Sequence, residues 1–159
     1  MDWHVLGAAM RVTISRADSL LPAHRAAIGR AALGPLLRAS GDALGVRPRA
    51  SLAVRLADDA ELRALNGRFL GSDTPTDVLA FPAGETGRVG DIAISVERAV
   101  AQDAQSGADG AAELRLLAVH GLLHCLGHDH GQAERAAAMT TATRALLPGQ
   151  TVPDLGPAA

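Results

Sequence analysis

The stretch Asp77–Val96, DVLAFPAGETGRVGDIAISV, decides how the rest of the chain is read. Asp77–Phe81 and Val89–Val96 are rich in β-branched and aromatic residues, and Gly84–Gly87 between them supplies turn residues, so they read as two strands. Upstream, Gly71–Thr76 (GSDTPT) is a loop by composition. A short helix capped by Asp58 or Asp59 precedes it and runs through Leu65, with Leu62 and Leu65 on one face. Ser51–Leu56 (SLAVRL) and Arg11–Ser15 (RVTIS) alternate as two further strands. Between those two, Pro22 opens a helix continued by Ile28, Leu33, Leu36 and Leu37, disturbed at Pro35, and Gly41–Arg49 is a turn-rich connection. Downstream, Glu97–Gln105, Ala111–Leu126 and Gln132–Leu147 read as three helices. The order β-α-β-α-β-β-α-α-α predicts an α/β (α+β) domain with a small mixed sheet of about four strands covered by helices. The expected division is one domain over residues 1–150 and a flexible tail over 151–159, within the Pro- and Gly-bearing stretch from Pro148.

The 159 residues are 48% hydrophobic and 20% charged, as in an ordinary globular domain able to bury a core. Trp3, Phe69 and Phe81 are the whole Trp, Phe and Tyr complement. The core is therefore expected from Leu, Val, Ile and Ala, and stacking on nucleobases has little to draw on. Residues 1–70 carry ten Arg against six acids (+4), and residues 71–159 carry five Arg against eleven acids (−6). A basic half suits RNA or another phosphate partner, and equally an ordinary solvated face. No run approaches the roughly 18 apolar residues of a membrane span. The opening MDWHVLGAAM lacks the basic region and long apolar stretch of a secretory signal. Cys125 alone cannot form an internal disulfide, so a cytoplasmic location with no membrane partner is expected.

Four of the six histidines lie within His120-Gly-Leu-Leu-His124-Cys-Leu-Gly127-His128-Asp129-His130. On a helix, His120 and His124 are i and i+4 and share a face, about 5–6 Å apart at Cβ. Gly127 lets the chain leave the helix, and the turn can bring His130 back over the same ion. Three imidazoles with an open fourth position describe a catalytic zinc site rather than a closed structural one. His128 and Asp129 are either partners orienting an imidazole or simple turn residues, and Cys125 reads as core filler. The spacing H-x3-H-x2-G-x2-H is that of metzincin proteases, whose general base is the Glu after the first His. Here that residue is Gly121, which cannot accept a proton and argues against peptidase chemistry. Met139, the nearest match to a Met-turn, reads as core.

Three blocks resemble the YbeY-type endoribonucleases of ribosomal RNA maturation. They are Leu65-Asn66-Gly-Arg-Phe69-Leu-Gly71-Ser-Asp73-Thr-Pro75-Thr76-Asp-Val78-Leu79-Ala-Phe81-Pro82, Gly90-Asp91-Ile92-Ala-Ile94-Ser95, and Val119-His120-Gly121-Leu-Leu123-His124 through Gly127, Asp129 and His130. The resemblance implies a cytoplasmic, metal-dependent endoribonuclease specific for single strands, acting at the 3′ end of small-subunit ribosomal RNA and in ribosome quality control. It implies one Zn2+ held by His120, His124 and His130, and single-stranded ribosomal RNA with the ribosome or small-subunit proteins as partners. Such a site polarises a phosphoryl oxygen, activates water, or both. The sequence leaves open whether water or the RNA 2′-OH is the nucleophile.

The resemblance breaks at one position. The family usually carries an Arg directly before the Gly of the first block, where it is expected to hold phosphate, and here Leu70 stands there. Arg68 is the substitute catalytic residue if the segment is extended, since strand residues i and i+2 share a face. If the segment is helical, Arg68 points elsewhere. Arg55, on a neighbouring strand, and Asn66 are candidate substrate-binding residues, Asn66 having an equal reading in local turn chemistry. Asp73 and Thr76 read as turn and cap residues, Asp91 as a bend or an orienting hydrogen bond to the metal helix, and Ser95 as a helix cap. A non-catalytic assembly factor stapled by zinc is the competing reading, and a metallopeptidase a weaker third.

Overall fold

The computed structural model describes residues 9–72 and 76–155. Along the chain come β1 (Arg11–Arg16), α1 (Pro22–Ala31), α2 (Leu33–Ala43), β2 (Ser51–Ala57), α3 (Asp59–Leu70), β3 (Val78–Glu85), β4 (Arg88–Ser95), α4 (Val96–Ala104), α5 (Ala111–Cys125) and α6 (Ala133–Leu146). The strands form one mixed sheet in the order β1-β2-β4-β3, with β1, β2 and β4 parallel and β3 antiparallel to β4 at the edge. The expected α/β architecture with four strands is thus present.

Register separates the two faces of the sheet. The pairs Leu52↔Gly90, Val54↔Ile92, Leu56↔Ile94 and Ala80↔Ile92 set these residues on one face, where Leu52, Val54, Leu56, Ile92 and Ile94 are buried. Helix α5 packs on β3 and β4 across this face, and α1, α2 and α4 pack around α5. Leu114, Leu122 and Leu123 of α5 are fully buried; such a side chain contributes about 1.5–3 kcal/mol by leaving water. Strand alternation sends Ala53, Arg55, Phe81, Asp91 and Ala93 to the other face, where α3 packs against β3 and β4 and β1 leaves Thr13 and Ser15 exposed.

Several boundaries differ from expectation. The first long helix breaks at Ala32, which adopts a left-handed φ of 48°, and not at Pro35. Pro35 falls in the first turn of α2, where its missing N–H has no intrahelical partner to lose. Helix α2 continues to Ala43, into the segment read as a connection. Helix α3 does not stop at Leu65 but runs to Leu70 and closes on Gly71 in a left-handed conformation. Its N-cap is Asp58, whose carboxylate accepts from the Glu61 N–H, and Ser95 caps α4 by accepting from the Arg98 N–H. The tail is not loose from residue 151. Val152 is buried, its carbonyl accepts from Arg144, and the Leu155 N–H donates to Thr140 Oγ1. Residues 156–159, Trp3 and Asp73 lie outside the described residues.

Candidate functional site

His120 and His124 sit one helical turn apart in the C-terminal half of α5, and their Nε2 atoms lie 2.9 Å from each other. The helix ends in a Schellman turn. The Gly127 N–H donates to the His124 carbonyl and the His128 N–H to the Leu123 carbonyl, with Gly127 at φ 95°. This is the left-handed ending that glycine adopts without a Cβ penalty. It returns the chain over the helix end, and the His130 ring comes within 5.7 Å of the His120 ring and 5.6 Å of the His124 ring, centroid to centroid. One nitrogen from each imidazole lies within 4.8 Å of the others.

This set fits one metal ion. Burial, and the positive charge its neighbours His124 and His130 would carry, push His120 down to about 4. Burial lowers His124 as well. Neutral imidazoles are the form that donates to a metal, so crowding that opposes protonation at pH 7 keeps lone pairs available.

Gly121 explains why no base follows the first histidine. A Cβ there would lie 2.8 Å from Ile92 Cγ2 and 3.1 Å from its Cγ1 and Cδ1, so this side of α5 is pressed against β4. Gly121→Ala is expected to destabilise the fold by about 1–3 kcal/mol through overpacking, despite the better helix propensity of Ala. Urea unfolding checks this, and an unchanged midpoint would contradict the close contact.

The histidines form one wall of a cleft of about 380 Å³ running along the edge strand, with Leu70, Thr76, Asp77, Val78 and Pro82 among the other lining residues. Among the described residues it has no Arg, and Asp77 is its one carboxylate. The residues singled out from sequence are not all gathered there. Arg68 lines a separate depression with Asp59, Arg63 and Glu97, because residues 68 and 70 of a helix point about 200° apart; the strand-based route from Arg68 to the cleft is therefore corrected. Arg55 lies on the open sheet face and forms a bidentate pair with Glu61, at 2.7 and 2.9 Å. Asn66 is buried within α3 and does not line the cleft. Asp129 accepts from the Gly131 N–H and pairs with Arg135, serving the turn after α5. The Asp91 carboxylate pairs with Arg88, and its backbone carbonyl is what meets the metal helix, 3.9 Å from Cys125 Sγ. Burial pushes the Cys125 thiol up to about 11, as suits core filler. Met139 is fully buried in α6.

Leu70 lines the cleft, at the position where the resemblance expects a phosphate-binding Arg, whereas Asp77 enters it without a sequence signal of its own. Behind the cleft, Asp77 and His120 also line a smaller cavity that contains Glu113. Desolvation, then repulsion from Asp103 and Asp77, raise Glu113 to about 7. A carboxyl that holds its proton longer when folded loses stability as pH rises from its unfolded value toward 7. Glu113→Gln is therefore expected to leave stability unchanged near pH 4 and to raise it above pH 7 by on the order of 1–2 kcal/mol, allowing for solvent screening. Thermal melts across pH check this, and a constant difference at all pH values would contradict it.

The chain is thus an α/β domain with a mixed four-stranded sheet and, beside its edge strand, an imidazole triad that could hold a metal ion in an open cleft. The family model described as Endoribonuclease YbeY matches residues 29–149. An Endoribonuclease YbeY from Moorella thermoacetica is 42% identical over 130 residues, covering 74% of this chain and 83% of the relative. One from Gloeobacter violaceus is 46% identical over 111 residues, covering 64% of this chain and 57% of the relative. The chain belongs to the YbeY endoribonuclease family. The solution structure of a Thermotoga maritima protein shares the fold at a TM-score of 0.58 and 24% identity, covering 87% of this chain and 86% of that one. Among the described residues no helix is long and apolar enough to cross a membrane.

Proposed function

We propose that the chain is a zinc-dependent endoribonuclease that cuts unpaired RNA, with the maturing 3′ end of small-subunit ribosomal RNA as its substrate and quality control of ribosomes as its setting. The observation that carries this reading is the convergence of His120, His124 and His130 within 4.8 Å on the wall of an open cleft, in a member of an endoribonuclease family. The three imidazoles hold the ion, which when bound supplies Lewis acidity to a phosphoryl oxygen and to water. The chain's own part is positioning. The Gly127 turn sets His130, the rigid turn of α5 sets His120 and His124, and burial keeps these two imidazoles unprotonated. Leu70, Val78 and Pro82 give the cleft apolar walls that thin out water around the phosphate, and Asp77 is placed to orient a hydroxyl or a water. The preference for unpaired strands rests on the cleft following a single edge strand. The cytoplasm as location and ribosomal proteins as partners belong to the same proposal, supported by family membership.

The test offers the full chain single-stranded and duplex ribosomal RNA fragments of one sequence. Cutting of the single strand alone supports the reading. Equal cutting of both would remove the strand preference, and cutting of neither by zinc-loaded protein would favour the non-catalytic assembly factor.

A further inference from the structure

Both phenylalanines of the chain, Phe69 at the end of α3 and Phe81 on β3, meet edge to face with ring centroids 5.6 Å apart. Phe69 is nevertheless 56% exposed. The Arg68 guanidinium lies 5.1 Å from its ring centroid, and among the described residues Arg68 forms no ion pair. The ring borders a groove of about 620 Å³ on the open sheet face, a size at which small ligands are held. Leu65, Phe81 and Ala93 give this groove an apolar surface, and Arg55, Glu61 and Asp91 add hydrogen-bonding groups. The next residue, Leu70, lines the histidine cleft. The last turn of α3 thus places an exposed aromatic ring on one side of edge strand β3 and the wall of the histidine cleft on the other, and one strand's width is about 4.8 Å.

We propose that the Phe69 ring is a stacking platform for one unpaired nucleobase of the RNA, the nucleotide adjoining the phosphodiester held at the histidines. The inference rests on the nuclease reading and adds a substrate-binding residue to it. A base offers a flat π face to an exposed ring, and Arg68 adds a cation beside the same ring for the base or its phosphate. A strand with one phosphate at the histidines must continue past the edge of β3, and the groove begins there. Duplex RNA keeps its bases stacked on one another and cannot use the ring without unpairing, so the platform also supplies a source of strand selectivity.

The test measures equilibrium binding of a labelled, short single-stranded oligoadenylate to the full chain, in chelator so that the strand stays whole. Phe69→Leu keeps the apolar bulk and loses the π face; it is expected to weaken binding about tenfold, the scale of one stacked base, while Phe69→Trp retains it. Single abasic sites are then walked along the strand. At one position the abasic site lowers wild-type affinity by the same factor and leaves the Phe69→Leu complex unchanged, a pattern that a merely structural role does not produce. If wild type binds and, with zinc, cuts RNA while Phe69→Leu binds as tightly as wild type, the platform is wrong and the nuclease reading stands. If each abasic penalty persists in full in Phe69→Leu, the platform is equally wrong. If the wild-type chain neither binds nor cuts RNA, both readings fall.

Discussion

His124→Ala is expected to lower cleavage of single-stranded RNA by a hundredfold or more, at least about 3 kcal/mol of transition-state stabilisation, while leaving the metal-free fold intact. His124 is only half-buried, its Nε2 meets His120, its ring has one backbone partner at His128, and its neighbours Leu122, Leu123 and Cys125 carry the packing of this turn. In chelator the variant is thus expected to melt within about 1 kcal/mol of wild type. Added zinc then stabilises wild type and not the variant, because a ligand that binds only the folded state raises its stability by mass action. Paired melts with and without zinc, beside single-turnover cleavage, check both halves. A variant that cuts RNA at the wild-type rate would remove the triad from the chemistry.

Leu70→Arg is expected to act in the opposite direction. Leu70 is 59% exposed and lines the histidine cleft, so replacing it disturbs no core. Among the described lining residues there is no Arg, and the two arginines nearest in sequence logic are directed elsewhere, Arg55 onto Glu61 and Arg68 over Phe69. A guanidinium introduced at the cleft wall supplies a charge-assisted contact to phosphate. It is expected to raise kcat/KM about ten- to a hundredfold, or about 1.4–2.7 kcal/mol, and to steepen the salt dependence of RNA binding by about one phosphate contact. Cleavage rates over a salt series check it. No change in either quantity would mean that the phosphate lies beyond the reach of residue 70.

The parts of this molecule that were legible in its sequence are those fixed by short-range periodicity. Alternation marked β1 and β2, and residue type around the Gly84–Gly87 turn marked β3 and β4, each to within a few residues; the His120–His124 repeat with Gly127 and His130 marked the triad, because a helical turn and a glycine ending are local geometries. The less legible parts depend on what packs against what. The helix break moved from Pro35 to Ala32 because a proline in a first turn costs nothing, and only the packing of α1 and α2 selects the bend. The segment Asn66–Leu70 could be read as extended or helical, and that single choice decided whether Arg68 shares a face with residue 70. Gly121 looked like a missing base until Ile92 showed that the position has no room for a side chain. The scarcity of aromatics argued against base stacking, yet both phenylalanines converge beside the cleft, which no spacing rule announces for residues on a helix end and an edge strand.

The most direct test of the metal centre follows single-turnover cleavage of one single-stranded RNA by chelator-treated full chain as zinc is titrated back. The account predicts no cleavage without metal, recovery that saturates at one zinc per chain, and a parallel rise in melting temperature that His124→Ala lacks. Undiminished cleavage by the metal-free protein would contradict it.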